Sequence, residues 1–328
     1  MATSPEDLHD WLARLRQDHP QASVAICLEQ PAANLILFLE TYSWITLYAI
    51  NPISLQKFRE TFVTSRAKDD GKDAEYLAQL LLNHHDKLKA WQPDDTQTRQ
   101  LQQLVSHRRA VVDERTGLTN RLKALLKQYF PQALDLCGED LWRPLATAFL
   151  LKTIEQFDQE IANVFQQHPD REIFEALPGA GPVLAPRLLA SMGSERERYA
   201  RPENLQCFSG VAPVTQQSGG KCHIHHRYLC PKFLRQSFHE YAKESILHSR
   251  WAAAYYGQQR NKGCAHHTAV RALAYKWQRV IWKCWQTRTI YKEEIYEAAL
   301  KKNKSPLSGL LDQIELGKSP VKTRAKKS

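Results

Sequence analysis

The chain has 328 residues, of which 43% are hydrophobic and 24% are charged, a composition that excludes an intrinsically disordered protein. The length allows two or three domains. The net charge of +10 is concentrated in residues 171–328, which hold 27 Lys and Arg against 12 Asp and Glu, and this asymmetry indicates a nucleic-acid surface.

The N-terminal third of the sequence predicts a βαβ unit. Residues 5–16 have the apolar spacing of an amphipathic helix. Two apolar runs, residues 22–29 and 44–50, predict buried parallel strands, and residues 32–42 predict the helix between them. Ligands of such sheets lie at the carboxyl ends of the strands. Glu29, the last residue of the first run, is therefore a candidate site residue.

Two further acids lie at the start of a later predicted helix. A helix at residues 52–63 is followed by one that opens with Asp70 and Asp73, which are three residues apart and so share a helix face. Together with Glu29 they could hold Mg²⁺ or Mn²⁺, ions that prefer oxygen ligands. The alternative is that the two aspartates only complement the helix dipole.

The middle of the sequence predicts two long helices, at residues 93–130 and from about 140 to 167. Leucine and valine recur along the first helix with a rough heptad spacing. The two helices are therefore expected to form an antiparallel coiled-coil hairpin. Such a hairpin would serve either dimerisation or the separation of residues 1–93, which hold 9 Lys and Arg against 12 Asp and Glu, from the basic residues 171–328.

A glycine-rich turn opens the C-terminal part. Gly179 and Gly181 stand in the run Leu-Pro-Gly-Ala-Gly-Pro, directly before a predicted helix at residues 183–192. This run resembles the hairpin of a helix-hairpin-helix motif, in which glycines expose backbone amides to a phosphate. A plain tight turn between two helices is the alternative.

The most informative stretch ends at Ser218. After a short helix at residues 202–208, turns at Gly210 and Pro213 lead to Ser218, which directly precedes two glycines. Glycine lets a bulky substrate approach the backbone, so Ser218 is a candidate nucleophile, with an ordinary surface turn as the alternative. Four basic residues follow and favour an anionic substrate: Lys221, Arg227, Lys232 and Arg235.

Cysteines and histidines crowd the same stretch, at Cys222, His223, His225, His226 and Cys230. Their spacing matches no standard zinc frame, so a metal site there is left open. Helices are predicted beyond it at residues 232–248, 265–285 and 291–300, and residues 302–328 predict a mobile basic tail.

No segment is typical of secretion or of a membrane span. The N-terminus is polar and acidic, and the most apolar run, residues 35–50, is broken by Glu40 and too short to cross a bilayer. The seven cysteines follow no disulfide spacing. We therefore expect a cytoplasmic, nucleoid-associated protein with no membrane partner.

Taken in order, these motifs form a pattern, which consists of Glu29, Lys68-x-Asp70-x-x-Asp73-Ala74, the Leu-Pro-Gly-x-Gly turn, Gly210-x-x-Pro213-x-x-x-x-Ser218-Gly219 and Pro231-x-x-Leu234-Arg235. The pattern resembles that of the DEDD-type insertion-sequence transposases related to the Piv DNA invertase, also named bridge-RNA-guided recombinases. The resemblance covers essentially the whole chain, and the order and spacing of the motifs are more specific than any single motif.

The resemblance implies a mostly α fold in four parts. A partial α/β RNase H-like (RuvC-like) domain lacking its first strands occupies residues 1–92, and a coiled-coil helical hairpin occupies residues 93–170. A helical transposase domain with a serine nucleophile follows at residues 171–301, and the basic tail at residues 302–328.

The resemblance also implies the site residues. Glu29, Asp70 and Asp73 match the second, third and fourth acids of the family's metal site, and Ser218 matches the nucleophile. Ser209 is a rival serine, but it precedes the Gly-x-x-Pro element and is set aside. The implied activity is strand cleavage and exchange through a covalent phosphoserine link, with Mg²⁺ or Mn²⁺ as cofactor. DNA, a guide RNA and a homo-oligomer, dimer or tetramer, are the implied partners.

The chain departs from the family pattern at the first acid. That acid belongs to a strand near the N-terminus, where this chain has a predicted helix. We expect either that strands are encoded upstream of Met1 or that the element has decayed. Two alternatives to a recombinase therefore stay open: a RuvC-like metal-dependent junction nuclease with a structural Ser218, or an inactive nucleic-acid-binding remnant.

Overall fold

The computed structural model describes residues 4–29, 33–62, 70–129, 131–218, 221–225 and 227–311. The chain divides into two units, residues 1–93 and 94–328. None of the helices in the described ranges has the length and apolar character that crossing a bilayer requires.

The first unit begins its helices with local caps. The Ser4 hydroxyl accepts the amide of Asp7, and the Asn51 side chain accepts the amide of Ile53. Each cap residue directly precedes a proline, which suits the first position of a helix. The elements of the unit are α1 (Pro5–Asp18), β1 (Val24–Glu29), α2 (Ala33–Leu39), β2 (Ile45–Ile50), α3 (Pro52–Glu60) and α4 (Asp70–His84).

The two strands of this unit confirm the predicted βαβ arrangement. β1 and β2 pair in parallel, from Val24 opposite Ile45 to Glu29 opposite Ile50. Burial of apolar side chains from α1, α2 and β2 holds the helices against the strands, at Leu12, Ile36, Leu39 and Leu47. Glu29 is thereby placed at the carboxyl end of the pair.

Within its described residues, the second unit consists of helices, their connections and one β-hairpin. Its elements are α5 (Thr96–Tyr129), α6 (Pro131–Gln167), α7 (Arg171–Glu175), α8 (Gly181–Met192), α9 (Pro202–Phe208), β3 (Val214–Ser218), β4 (Lys221–His225), α10 (Lys232–His248), α11 (Arg250–Asn261), α12 (His266–Thr287), α13 (Glu293–Lys302) and α14 (Ser308–Leu311). Strands β3 and β4 and helix α11 were not predicted. Helix α6 begins at Pro131 rather than near residue 140, because proline is accepted in the first turn of a helix.

The core of the second unit joins the long helices to the C-terminal helices. Helices α5 and α6 pack against one another. Their buried side chains Leu101 and Phe165 belong to the same cluster as Trp251 and Trp277. Glu240 of α10 forms ion pairs with Arg109 of α5 and Arg187 of α8, so these three helices are also linked by charge.

Candidate nucleophile and nucleic-acid and metal-binding residues

Ser218 ends a strand rather than standing in an isolated turn. Strands β3 and β4 are antiparallel, and their register runs from Val214 opposite His225 to Ser218 opposite Lys221. Only the backbone of Ser218 and Lys221 is described, and Gly219 and Gly220 between them lie outside the described residues. Ser218 is thus the last paired residue before a two-residue connection.

The start of this hairpin is held by a close contact. Gly210 has a φ of +73°, and a Cβ at this position would overlap the side chain of Cys230. Glycine is therefore required here both for its backbone angle and for its lack of a side chain. The contact brings the segment before β3 beside the segment after β4, and so fixes the base of the hairpin.

Ser209, the rival serine, is part of the core. Its side chain is fully buried. Its Oγ accepts a hydrogen bond of 2.8 Å from Nε2 of Gln278 and donates to the carbonyl of Gln206 at 3.1 Å. This enclosed hydroxyl cannot contact a DNA phosphate unless α9 separates from α12. The burial therefore supports setting Ser209 aside.

The basic residues after the hairpin differ in exposure. Lys232 is exposed at the first position of α10. Arg235 is half-buried, and its Nη1 donates to the carbonyl of Arg227 at 3.5 Å. Arg227 is also half-buried, and its Nε has no partner among the described atoms. Lys232 is therefore best placed for a phosphate, whereas Arg235 also supports the chain after β4.

The glycine turn before α8 has a left-handed backbone, which is compatible with both a helix-hairpin-helix hairpin and a plain tight turn. Gly179 and Gly181 have φ values of +77° and +56°. A Cβ on Gly179 would lie 2.7 Å from the ring of His248, so this glycine packs against α10. A Cβ on Gly181 would meet no atom within 4 Å, so the first residue of α8 faces open space. The partial positive charge of the helix N-terminus is accessible there.

The candidate metal ligands lie in the first unit. Glu29 is half-buried at the end of β1, and helix α4, which carries Asp70 and Asp73, packs against that strand. Only the backbone of Asp70 is described. Among the side chains that are described, no three acids, histidines or cysteines lie close enough together to hold a metal ion.

Asp73 already has a cationic partner that the sequence did not indicate. It is 7% exposed, and Nη1 of Arg59 on α3 lies 3.0 Å from its Oδ1 and 3.4 Å from its Oδ2. A buried carboxylate requires such a counter-charge. Since Arg59 and Asp73 are on different helices, only packing brings them together.

The possible zinc ligands fall largely outside the described part of the chain. This applies to His226 and to the side chains of Cys222 and His223. Of the side chains that are described, His225 is exposed and Cys230 packs against Gly210. A metal site in this cluster stays untested.

Two family models match segments of the chain that contain the candidate residues. A family model for transposases of the DEDD type of IS110 matches residues 1–131, which include Glu29, Asp70 and Asp73. The model for the transposase IS116/IS110/IS902 family matches residues 171–257, which include Ser218. Together the two matches cover about two thirds of the chain.

Individual relatives come from named insertion sequences. The candidate transposase of the IS117 mini-circle of Streptomyces coelicolor is 23% identical over 87% of each chain. The 44.8 kDa protein of IS116 from Streptomyces clavuligerus is 30% identical over 42% of this chain and 35% of its own. The 42 kDa protein of IS900 from Mycobacterium paratuberculosis is 29% identical over 46% of this chain and 40% of its own.

Proposed function

The chain belongs to the IS110 family of transposases, and from this premise we propose that it cuts and rejoins DNA through a covalent link at Ser218. The observation that carries the proposal is the position of Ser218, the last paired residue of β3 inside the matched segment. Burial of the rival Ser209 supports the choice. The proposed organisation is a RuvC-like domain at residues 1–92, a coiled-coil hairpin at 93–170, a transposase domain at 171–301 and a basic tail at 302–328.

The proposed reaction is a transesterification. Oγ of Ser218 attacks a DNA phosphorus, a new O–P bond forms, and the P–O bond to one deoxyribose oxygen breaks. The serine proton is lost to water, and the departing oxygen takes up a proton. The phosphate remains a diester, so the hydroxyl of a second strand can reverse the step and join the new ends. DNA and a guide RNA are the proposed partners of a homo-oligomer.

The acids of the first unit are proposed to hold a divalent metal ion. Glu29, Asp70 and Asp73 offer the carboxylate oxygens that Mg²⁺ or Mn²⁺ prefers. When bound, such an ion acts as a Lewis acid on a phosphate oxygen. The ion pair with Arg59 provides Asp73 with a counter-charge in the absence of metal.

The first prediction follows from this ion pair. An Arg59→Met variant should bind Mn²⁺ about tenfold more tightly, because a charged hydrogen bond worth roughly 1.5 kcal/mol no longer competes for Asp73. Calorimetric titration of the full chain measures the affinity. The matched control is Lys57→Met, which removes an exposed charge from the same helix and should change the affinity less than twofold. Equal affinities in all three proteins would show that Arg59 and the metal do not share Asp73.

The second prediction concerns the basic half of the chain. If about six to ten phosphates are contacted, DNA affinity should fall roughly 10³- to 10⁵-fold between about 50 and 200 mM salt. A Lys232→Gln variant should reduce the slope of log affinity against log salt by about one. Lys87→Gln, in the acidic first unit, is the charge-matched control and should leave the slope unchanged. A flat salt dependence in the wild-type chain would contradict nucleic-acid binding by this half.

The covalent link itself can be located by mass spectrometry. Trypsin should release residues 199–221 as one peptide, since Arg201 is followed by proline, and this peptide holds both Ser209 and Ser218. After incubation with insertion-sequence DNA and Mg²⁺ and nuclease digestion, fragmentation should place the nucleotide on Ser218. Cleavage without any adduct would instead favour a metal-dependent nuclease, and binding without cleavage would favour an inactive remnant.

A further inference from the structure

A cavity of about 850 Å³ lies between helices α11, α12 and α13 and is not explained by the serine or the acids. Its size is within the range of small-molecule and cofactor pockets. Apart from Tyr255, its lining residues all follow residue 257, where the second family match ends. The known family segments therefore do not account for it.

Aromatic rings form part of the wall of this cavity. Tyr255 comes from α11, Tyr275 from α12 and Tyr296 from α13, so three helices each contribute one ring. Tyrosine hydroxyls, with an ordinary pKa of about 10, are uncharged at neutral pH, and burial raises the pKa of Tyr255 and Tyr296 further. Uncharged aromatic faces are the surfaces on which unpaired nucleobases stack.

Basic side chains surround the rings. Lys276, Arg279 and Lys283 recur along one side of α12, and Lys292 stands on the segment that leads into α13. The ammonium of Lys276 lies 4.8 Å from the centre of the Tyr255 ring. All lining residues are described, and none of them is a carboxylate.

These cations are weakly compensated. Arg279 lies 3.4 Å from Glu203, but both side chains are more than half exposed, so the pair is screened by water. Burial, together with the neighbouring Arg279, lowers the pKa of Lys276, so an anion at this position would recover lost stabilisation. The rim is therefore complementary to a chain of phosphates.

We propose that this cavity takes an unstacked nucleobase from a single-stranded nucleic acid, while the adjoining phosphates contact Lys276, Arg279 and Lys283. The inference rests on the proposed function for the class of its partner. The basic half of a second copy is disfavoured as occupant of this cavity, because residues 171–328 carry 27 basic against 12 acidic residues. An acidic peptide would satisfy the cations but would make no use of the aromatic part of the wall.

Two neighbouring alanines allow a matched test. Both are exposed on α13, but Ala299 lines the cavity and Ala298 does not. In Ala299→Trp the indole should fill the cavity without changing charge. The affinity for a fluorescein-labelled single-stranded DNA of about twelve nucleotides, measured by anisotropy, should fall about tenfold, the effect of losing one stacked base. Ala298→Trp should stay within twofold of the wild-type chain.

An abasic oligonucleotide separates stacking from charge. The wild-type chain should bind the strand that contains bases more tightly than one of equal length without them, and Ala299→Trp should no longer distinguish the two. Lys283→Gln should weaken both strands, whereas Lys262→Gln, an exposed lysine outside the lining, should weaken neither. Thermal unfolding of each variant verifies that it is folded.

Three outcomes would overturn the inference. If the wild-type chain binds the strands but Ala299→Trp binds them equally well, the cavity is not a base site, and the proposed function is unaffected. If poly-glutamate displaces the oligonucleotide as well as an unlabelled strand does, the site responds to charge alone. If the wild-type chain binds no nucleic acid in any form, the inference and the proposed function fail together.

Discussion

A Ser218→Ala variant is expected to form no covalent adduct with DNA, a loss of about a thousandfold or more, because no other group in the proposed reaction supplies the attacking oxygen. Ser218 ends β3, whose pairing with β4 uses backbone groups, so alanine should leave the hairpin intact. Binding of DNA should stay within about threefold of wild type. A suicide DNA substrate that traps the intermediate, followed by denaturing electrophoresis, measures the adduct.

The same strand provides a control for this variant. Thr215 is exposed and carries a hydroxyl three residues before Ser218, so Thr215→Ala removes a comparable group from β3. This control should form adducts at the wild-type level. Undiminished adducts in Ser218→Ala would assign the nucleophile elsewhere, and equal losses in both variants would indicate damage to the hairpin rather than loss of a nucleophile.

The largest effect on stability is expected from Asp94→Ala, because this buried carboxylate holds together the start of α5 and the segment after α8. Its Oδ1 accepts the amides of Ser194 and Glu195 at 2.7 and 3.1 Å. Its Oδ2 accepts Nε2 of Gln102 at 3.0 Å and lies 3.0 Å from Nη2 of Arg198. Alanine would leave all four donors without this acceptor.

The expected cost is about 3–5 kcal/mol in the free energy of unfolding, the range for removing one partner of a buried ion pair. Urea denaturation of the full chain measures this free energy from the unfolding transition of the second unit. The control is Asp113→Ala on α5, whose ion pair with Arg109 is between residues four apart and involves a largely exposed carboxylate. That change should cost about 0.5 kcal/mol or less. A similar small cost for Asp94→Ala would show that the four donors find other partners.

The protonation state of Asp94 should also control how the free energy of unfolding depends on pH in acid. Burial raises the pKa of Asp94, but Arg198, Gln102 and the two amides outweigh it, so the pKa lies below its usual range. A lowered pKa means that the stabilisation is complete above the unfolded value of about 3.9 and is lost as the pH falls through the folded value. Wild type should therefore lose stability below about pH 4 more steeply than Asp94→Ala. If the free energy of unfolding fell equally steeply with pH in the two proteins, the assigned role of Asp94 would be contradicted.

The sequence alone determined the elements whose causes are local. The caps at Ser4 and Asn51, each before a proline, mark the starts of α1 and α3, and continuous apolar runs mark β1 and β2. The bounds of α10 were predicted to the residue. In these segments the hydrogen-bonding groups and the apolar periodicity lie within a few residues of one another, so the sequence contains the whole interaction.

Only the tertiary structure decided the elements that depend on distant partners. Strand β3 is polar after Val214 and lacks an apolar alternation, and β4 alternates only two apolar residues, Cys222 and Ile224, with Lys and His, so the strands became evident only from their pairing. Arg59 meets Asp73 only because α3 packs against α4. The cavity between α11, α12 and α13 exists because three helices place rings and cations around one space. Such contacts depend on how helices pack, which the spacing of residues along one helix does not specify.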